Sequence, residues 1–134
     1  TSVVALWQRA YCQTMMPEFD NKTRNVKGDA TAASLKSARI VADLDLAIQA
    51  DKDNQYLYYN RGCAYMAERD YTHAIDDFTR AINIDRSLAE AYYNRGLARV
   101  HNGLKTEGIA DLSKAGELGL YKAYSVIKKI SNSK

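Results

Sequence analysis

The side chains that could carry chemistry in this chain are few and poorly grouped for it. Asp76 and Asp77 are sequence neighbours. On a helix, neighbours point about 100° apart, so these two carboxylates cannot serve one bond as acid and base. His73 and His101 stand alone, without the HExxH or Cys/His spacing that holds a metal. Ser, His and Asp occur only scattered, and no glycine-rich phosphate loop is present: Gly62 and Gly96 fall inside apolar-periodic segments. Cys12 and Cys63 have no CxxC spacing, so buried free thiols are the expectation, and a disulfide would need an oxidising compartment. These residues predict no enzyme, no cofactor and no metal.

What does recur is a pair of opposite charges. Arg61 is followed 16 residues later by Asp77, and Arg95 by Asp111 at the same spacing. Arg9 and Asp43 complete the set once an insertion between them is set aside. Each pair is expected to bridge the two helices of one hairpin, where a partly buried pair fixes register more than it adds stability.

The elements that must position these pairs repeat as well. Shifted by 34 residues, Tyr58-Tyr59-Asn60-Arg61-Gly62 lands on Tyr92-Tyr93-Asn94-Arg95-Gly96. Ala64, Thr72, Ile75, Asp77 and Ala81 land on Ala98, Thr106, Ile109, Asp111 and Ala115. Apolar residues within each copy recur at three- and four-residue spacing, as on one helix face. This predicts helices over 55–68, 71–84, 89–102 and 105–117, with Asp70 capping the second. Mid-helix glycine costs about 1 kcal/mol relative to alanine. Gly62 and Gly96 are therefore expected where two helix backbones approach closely, opposite Ala74 or Gly108.

The period and the pattern Tyr58-x2-Arg61-Gly62-x2-Tyr65, Ala74-x3-Phe78 and Ala81 resemble the tetratricopeptide repeat. The second copy has Gly108 at the small position and Leu112 for the aromatic. Arg86 and Leu120 stand where the family's closing proline would be. The resemblance implies an all-α, right-handed solenoid: about three helical hairpins plus a C-terminal cap helix. One domain would fill residues 1–134: repeat one over 3–54 with an insertion at about 18–33, repeat two over 55–88, repeat three over 89–118, and a cap over 119–131. The style of the repeats looks bacterial.

Upstream, Val3–Met16 carries a wide apolar face and ends at Pro17, as a first helix would. Leu6-Trp7-Gln8-Arg9-Ala10 resembles a worn copy of the segment that starts at Tyr58. The polar run from Glu18 to about Ala33 reads as a long loop, and Ser34–Ala50 as the next helix. A competing register places the first helix at Arg24–Lys36, with Gly28 on Gly62, but Asn25-Val26-Lys27-Gly28-Asp29 lacks an apolar stripe.

By the same resemblance the first helix of each repeat lines a concave groove. The positions are Val4, Trp7, Gln8 and Tyr11, then Tyr56, Tyr59, Asn60, Cys63 and Met66, then Glu90, Tyr93, Asn94, Leu97 and His101. Aromatic residues with polar tips favour binding, and Asn60 and Asn94 suit hydrogen bonds to a peptide backbone. The same stripe is also what helix-on-helix packing would require. Some family members clamp a C-terminal carboxylate with Lys and Asn on this face. Here Trp7, Tyr11, Tyr56 and Tyr59 hold the matching positions without a cation, so a chaperone-tail clamp is not expected.

The formal charge is +3, yet residues 55–118 are nearly neutral. That argues against a nucleic-acid surface. Lys122, Lys128, Lys129 and Lys134 are unopposed by any acid after residue 118. They suit the C-terminal dipole of a solvated cap helix, with an acidic partner as the other reading. No apolar run approaches the ~20 residues of a membrane span. No signal-peptide pattern opens the chain, and a start at Thr1 is what a processed protein or a piece of a longer one would show. Localisation stays open between cytoplasm and periplasm. The expected function is a non-enzymatic module that binds a peptide or partner helix in the groove. The alternative is an assembly segment of a larger protein, or a homo-oligomer, with a self-filled groove.

Overall fold

A computed structural model describes residues 27–132, with side chains from Lys36 onward. The predicted helix Val3–Met16, and with it Trp7, Arg9, Tyr11 and Cys12, lies outside the described residues. Six helices and no strand occur among the described residues: α1 (Lys27–Ala50), α2 (Gln55–Ala67), α3 (Tyr71–Ile84), α4 (Ala89–His101), α5 (Lys105–Glu117) and α6 (Lys122–Asn132). Each packs on the next in chain order, making a solenoid of helical hairpins.

The four repeat helices fall where the periodicity puts them. The segment before them does not. Residues 27–33, expected in a loop, are helical and continuous with α1. Ala30, Ala32 and Ala33 supply helix propensity there without an apolar stripe. The same continuity rules out a separate helix at Arg24–Lys36.

Local chemistry sets the ends. The Asn54 side chain accepts from the Tyr56 N–H at 3.0 Å and starts α2. Asp70 accepts from the His73 N–H at 3.3 Å and starts α3. Helix α2 stops with Arg69 in the left-handed region, φ 62°. The Asp70 N–H reaches the Tyr65 carbonyl and the Arg69 N–H that of Met66, which is the Schellman arrangement. The equivalent position one repeat later is Gly103, φ 85°, with the same two bonds to Arg99 and Val100. Where the family would place proline, Asp85 takes over. Its carboxylate accepts from the Ser87 N–H at 3.0 Å and the Ser87 hydroxyl at 2.7 Å, closing the turn into α4.

The core runs through all the hairpins, with Phe78, Ala74, Ala81, Ala91, Ala98, Leu112, Ala115 and Ala123 fully enclosed or nearly so. Helices α4 and α5 meet at glycine: a Cβ on Gly96 would sit 2.8 Å from the Gly108 carbonyl oxygen. Gly62 does not face Ala74, as expected, but the Phe78 ring, which a Cβ would approach to 2.8 Å. The ring fills the space that closes in the next repeat, where Leu112 and Gly108 are smaller than Phe78 and Ala74.

Candidate functional site: the stripe on α2 and α4

The predicted stripe is held by a ladder of arginines on the same helices. Arg61 on α2 donates from Nε and Nη2 to both carboxylate oxygens of Asp77 on α3, at 2.8 and 2.7 Å. Arg95 on α4 does the same to Asp111 on α5, at 2.9 and 2.7 Å. Two parallel bonds between planar groups fix the rotation of one helix on the other. The bond to Asp77 raises the Arg61 pKa above its ordinary value, and Asp45 adds to this.

Each arginine has a second reach that the sequence reading missed. Arg61 Nη1 donates to Asp45 on α1 at 2.7 Å, and Arg95 Nη1 to the Thr79 hydroxyl on α3 at 3.2 Å. Asp45 and Thr79 each stand 16 residues before their arginine. The ladder therefore ties each hairpin to the preceding one. Asp43, paired with Arg9 in the sequence reading, is exposed, and Arg9 lies outside the described residues.

Along the stripe itself, burial divides the predicted residues. Tyr59, Asn60, Cys63 and Met66 on α2 are buried, as are Asn94 and Leu97 on α4. Asn94 Nδ2 donates to the Tyr59 hydroxyl at 2.9 Å, joining the two helices across 35 residues of chain. Tyr59 also tilts against Phe78, with ring centroids 5.9 Å apart. Cys63 is disulfide-bonded rather than a free thiol, and the other half of the bond lies outside the described residues. At 1% exposure Cys63 offers no surface to a partner.

Asn60 is different. It is 2% exposed, and among the described residues neither its Oδ1 nor its Nδ2 has a hydrogen-bond partner. Buried amides are rarely left so, because each unmade bond costs about 1–3 kcal/mol.

Tyr56, Glu90 and Tyr93 are only partly buried, and His101 is exposed at the end of α4. Burial raises the pKa of the Tyr93 phenol. Lys122, the first residue of α6, holds its Nζ 4.8 Å from the centre of the Tyr93 ring. His101 stacks on Tyr71, centroids 4.9 Å apart and planes 6° from parallel. Although the residue as a whole is exposed, the stacked ring is partly desolvated, which lowers its pKa, and the Arg69 charge lowers it further. No group of three or more metal-ligating side chains occurs among the described residues.

A family model described as "Tetratricopeptide repeat" matches residues 56–88. The second TPR domain of human RPAP3, solved in complex with the HSP70 peptide SGPTIEEVD, is similar at 31% identity and TM-score 0.69, over 73% of this chain and 83% of that one. The chain belongs to the tetratricopeptide repeat family. The first TPR of Spaghetti (RPAP3), bound to the HSP90 peptide SRMEEVD, is similar at 26% identity and TM-score 0.66, over 76% of this chain and 90% of that one. The Arabidopsis OM64 TPR domain matches at 25% identity and TM-score 0.68, over 92% and 96%. No curated protein matches the chain.

As a TPR domain, the chain is a protein-interaction module. Its stripe carries no cation of its own: between Tyr56 and Leu97 the accessible predicted positions are Tyr56, Glu90 and Tyr93. Among the described residues, no helix is long and apolar enough to cross a membrane.

Proposed function

We propose that this TPR domain is a non-enzymatic module that takes a peptide or a partner helix along the stripe of α2 and α4. The observation that carries the reading is Asn60. Its carboxamide sits on the stripe with a donor and an acceptor both unused among the described residues, and two peptide-bound TPR domains share the fold. At 2% exposure the amide is reached only when the side chains over it move aside, and a partner's backbone amide would then use both groups at once.

The test separates binding from folding. Replacing a buried, unsatisfied amide by alanine removes its desolvation cost, so Asn60→Ala should leave the melting temperature unchanged or raise it. The same variant should bind peptides more weakly. The probe is a random peptide library panned on the wild-type domain, with enriched peptides measured by calorimetry and hydrogen exchange in α2. Enriched peptides that protect α2 in the wild type and bind Asn60→Ala weakly support the reading.

The burial of Tyr59, Asn60, Cys63, Met66, Asn94 and Leu97 favours a second reading, an assembly segment whose groove is filled by its own neighbours. Then no peptide would be enriched, α2 would exchange slowly throughout, and Asn60→Ala would alter stability alone.

A further inference from the structure

We infer that the chain covers the α2 part of its own stripe with residues 1–26, tethered through a Cys12–Cys63 disulfide, and that reduction of this bond uncovers the face. The inference rests on the reading of the stripe as a partner site, and it names how access to that site is regulated.

The bond itself is the first ground. Cys63 lies on α2 one helical turn after Asn60, on the same face, and it is disulfide-bonded. The chain has two cysteines, so within one molecule its partner is Cys12. Cys63 is buried, which puts the bond inside the packed face of α2 rather than at its rim. A disulfide holds its two Cα atoms within about 7 Å. The chain around Cys12 is therefore brought onto the stripe.

The order of the hairpins is the second ground. Arg61 reaches back 16 residues to Asp45 on α1, and Arg95 reaches back 16 to Thr79 on α3. That equivalence makes α1 the second helix of a hairpin, as α3 is. Asn94 finds the Tyr59 hydroxyl on the first helix of the hairpin before its own. Asn60 holds the same place one repeat earlier, and no first helix precedes α1 among the described residues. The amide is nonetheless buried, with neither group bonded among the described residues. Residues 1–26 are the part of the chain that remains to supply the cover.

Their composition suits the task. Val3, Leu6, Trp7, Ala10 and Tyr11 recur at helical spacing and form an apolar face. Such a face gains by lying on Tyr59, Cys63 and Met66. A tethered segment competes at an effective concentration of about millimolar, so a free peptide meets an occupied face.

Reduction removes the tether. A thiolate of a dithiol reductant attacks one sulfur of the bond, forms a mixed disulfide with it and releases the other cysteine. The second thiol of the reductant then displaces the cysteine still held. Two electrons and two protons pass to Cys12 and Cys63, and the dithiol leaves as a disulfide. The bond persists in an oxidising compartment and opens in a reducing one. The self-filled stripe and the open one are in this way two redox states of one molecule.

The experiment compares the full chain oxidised, the full chain reduced with dithiothreitol, and Cys12→Ala. Trypsin without reductant should release residues 10–22 linked to residues 62–69, and reductant should separate them. In hydrogen exchange, α2 should lose protection on reduction and in Cys12→Ala, while α5 exchanges as slowly as in the oxidised chain. Unchanged α5 shows that the fold is kept, and reoxidation should restore α2. A digest without the linked pair, or equal α2 protection in all three samples, overturns the inference. So does a loss that spreads equally to α5, because the bond would then hold the whole fold and not one face. Panning a random peptide library on the same samples tests the partner reading separately. Peptides enriched on the reduced chain and Cys12→Ala but not on the oxidised chain support both. Equal enrichment on all three supports the partner reading and overturns the inference. An α2 that opens yet enriches nothing supports the inference and overturns the partner reading.

Discussion

Asn94 donates its carboxamide N–H to the hydroxyl of Tyr59 across 2.9 Å, and both side chains are buried. Two residues expected to greet a ligand are instead bonded to each other, one from each repeat. They join the hairpins at the level of the stripe and set where α4 lies against α2.

Breaking that bond should cost the fold more than it costs any partner. Tyr59→Phe removes the acceptor and leaves the Asn94 donor one bond short, for a loss of about 1–2 kcal/mol. Replacing both, as Tyr59→Phe with Asn94→Leu, should cost less than the sum of the two single changes, because no orphaned polar group remains. Urea unfolding of the four proteins in the cycle measures the coupling. A coupling energy near zero would show that the two side chains do not depend on each other.

The arginine ladder makes a graded prediction. The Asp77 side chain is 3% exposed and that of Asp45 is 47%, though both bond Arg61. Asp77→Ala strips a buried guanidinium of its bidentate partner and should cost about 3 kcal/mol. Asp45→Ala removes a half-solvated bond and should cost below about 1 kcal/mol. Equal losses in chemical denaturation would contradict the ladder as described. The Asp45 variant should also loosen α1 selectively, which hydrogen exchange resolves by helix.

Much of this arrangement was legible in the sequence. Identity at a period of 34 residues located α2 to α5, and the Arg–Asp spacing of 16 found the bonds within each hairpin. The bonds between hairpins escaped because their acceptors differ: Asp45 in one, Thr79 in the next, with no identity to mark them. Residues 27–33 escaped because an alanine-rich, weakly amphipathic turn looks like a loop to a periodicity argument. The stripe was found but its depth was not. Spacing shows which residues share a helix face, and a groove and an inter-repeat seam use the same face. Only contacts such as Tyr59–Asn94 separate the two.

Arg69 marks a place where one repeat is less well made than the other. A left-handed backbone carries a penalty for a side chain that glycine escapes, and Gly103 holds the equivalent site. Arg69→Gly should therefore stabilise the domain, by about 0.5–1 kcal/mol after the added entropy of the unfolded chain is counted. Gly103→Arg should destabilise it by a similar amount. Thermal melts of the two variants at pH 8, where histidine is neutral, isolate this backbone effect.

The same Arg69 shapes the pH dependence. Burial lowers the His101 pKa, and the Arg69 charge lowers it further. A histidine whose folded pKa is depressed binds fewer protons folded than unfolded, so stability rises with pH across its titration. The stabilisation is present above the unfolded value of about 6.5 and is lost as pH falls from there through the folded pKa. Wild type should melt at lower temperature at pH 5.5 than at pH 7.5, above the range where carboxylates dominate. His101→Gln should lose less over that interval. Arg69→Gly should fall between the two, because it relieves the charge on His101 but leaves the burial in place. A pH profile unchanged by His101→Gln would show that the stacked imidazole on Tyr71 does not govern acid sensitivity.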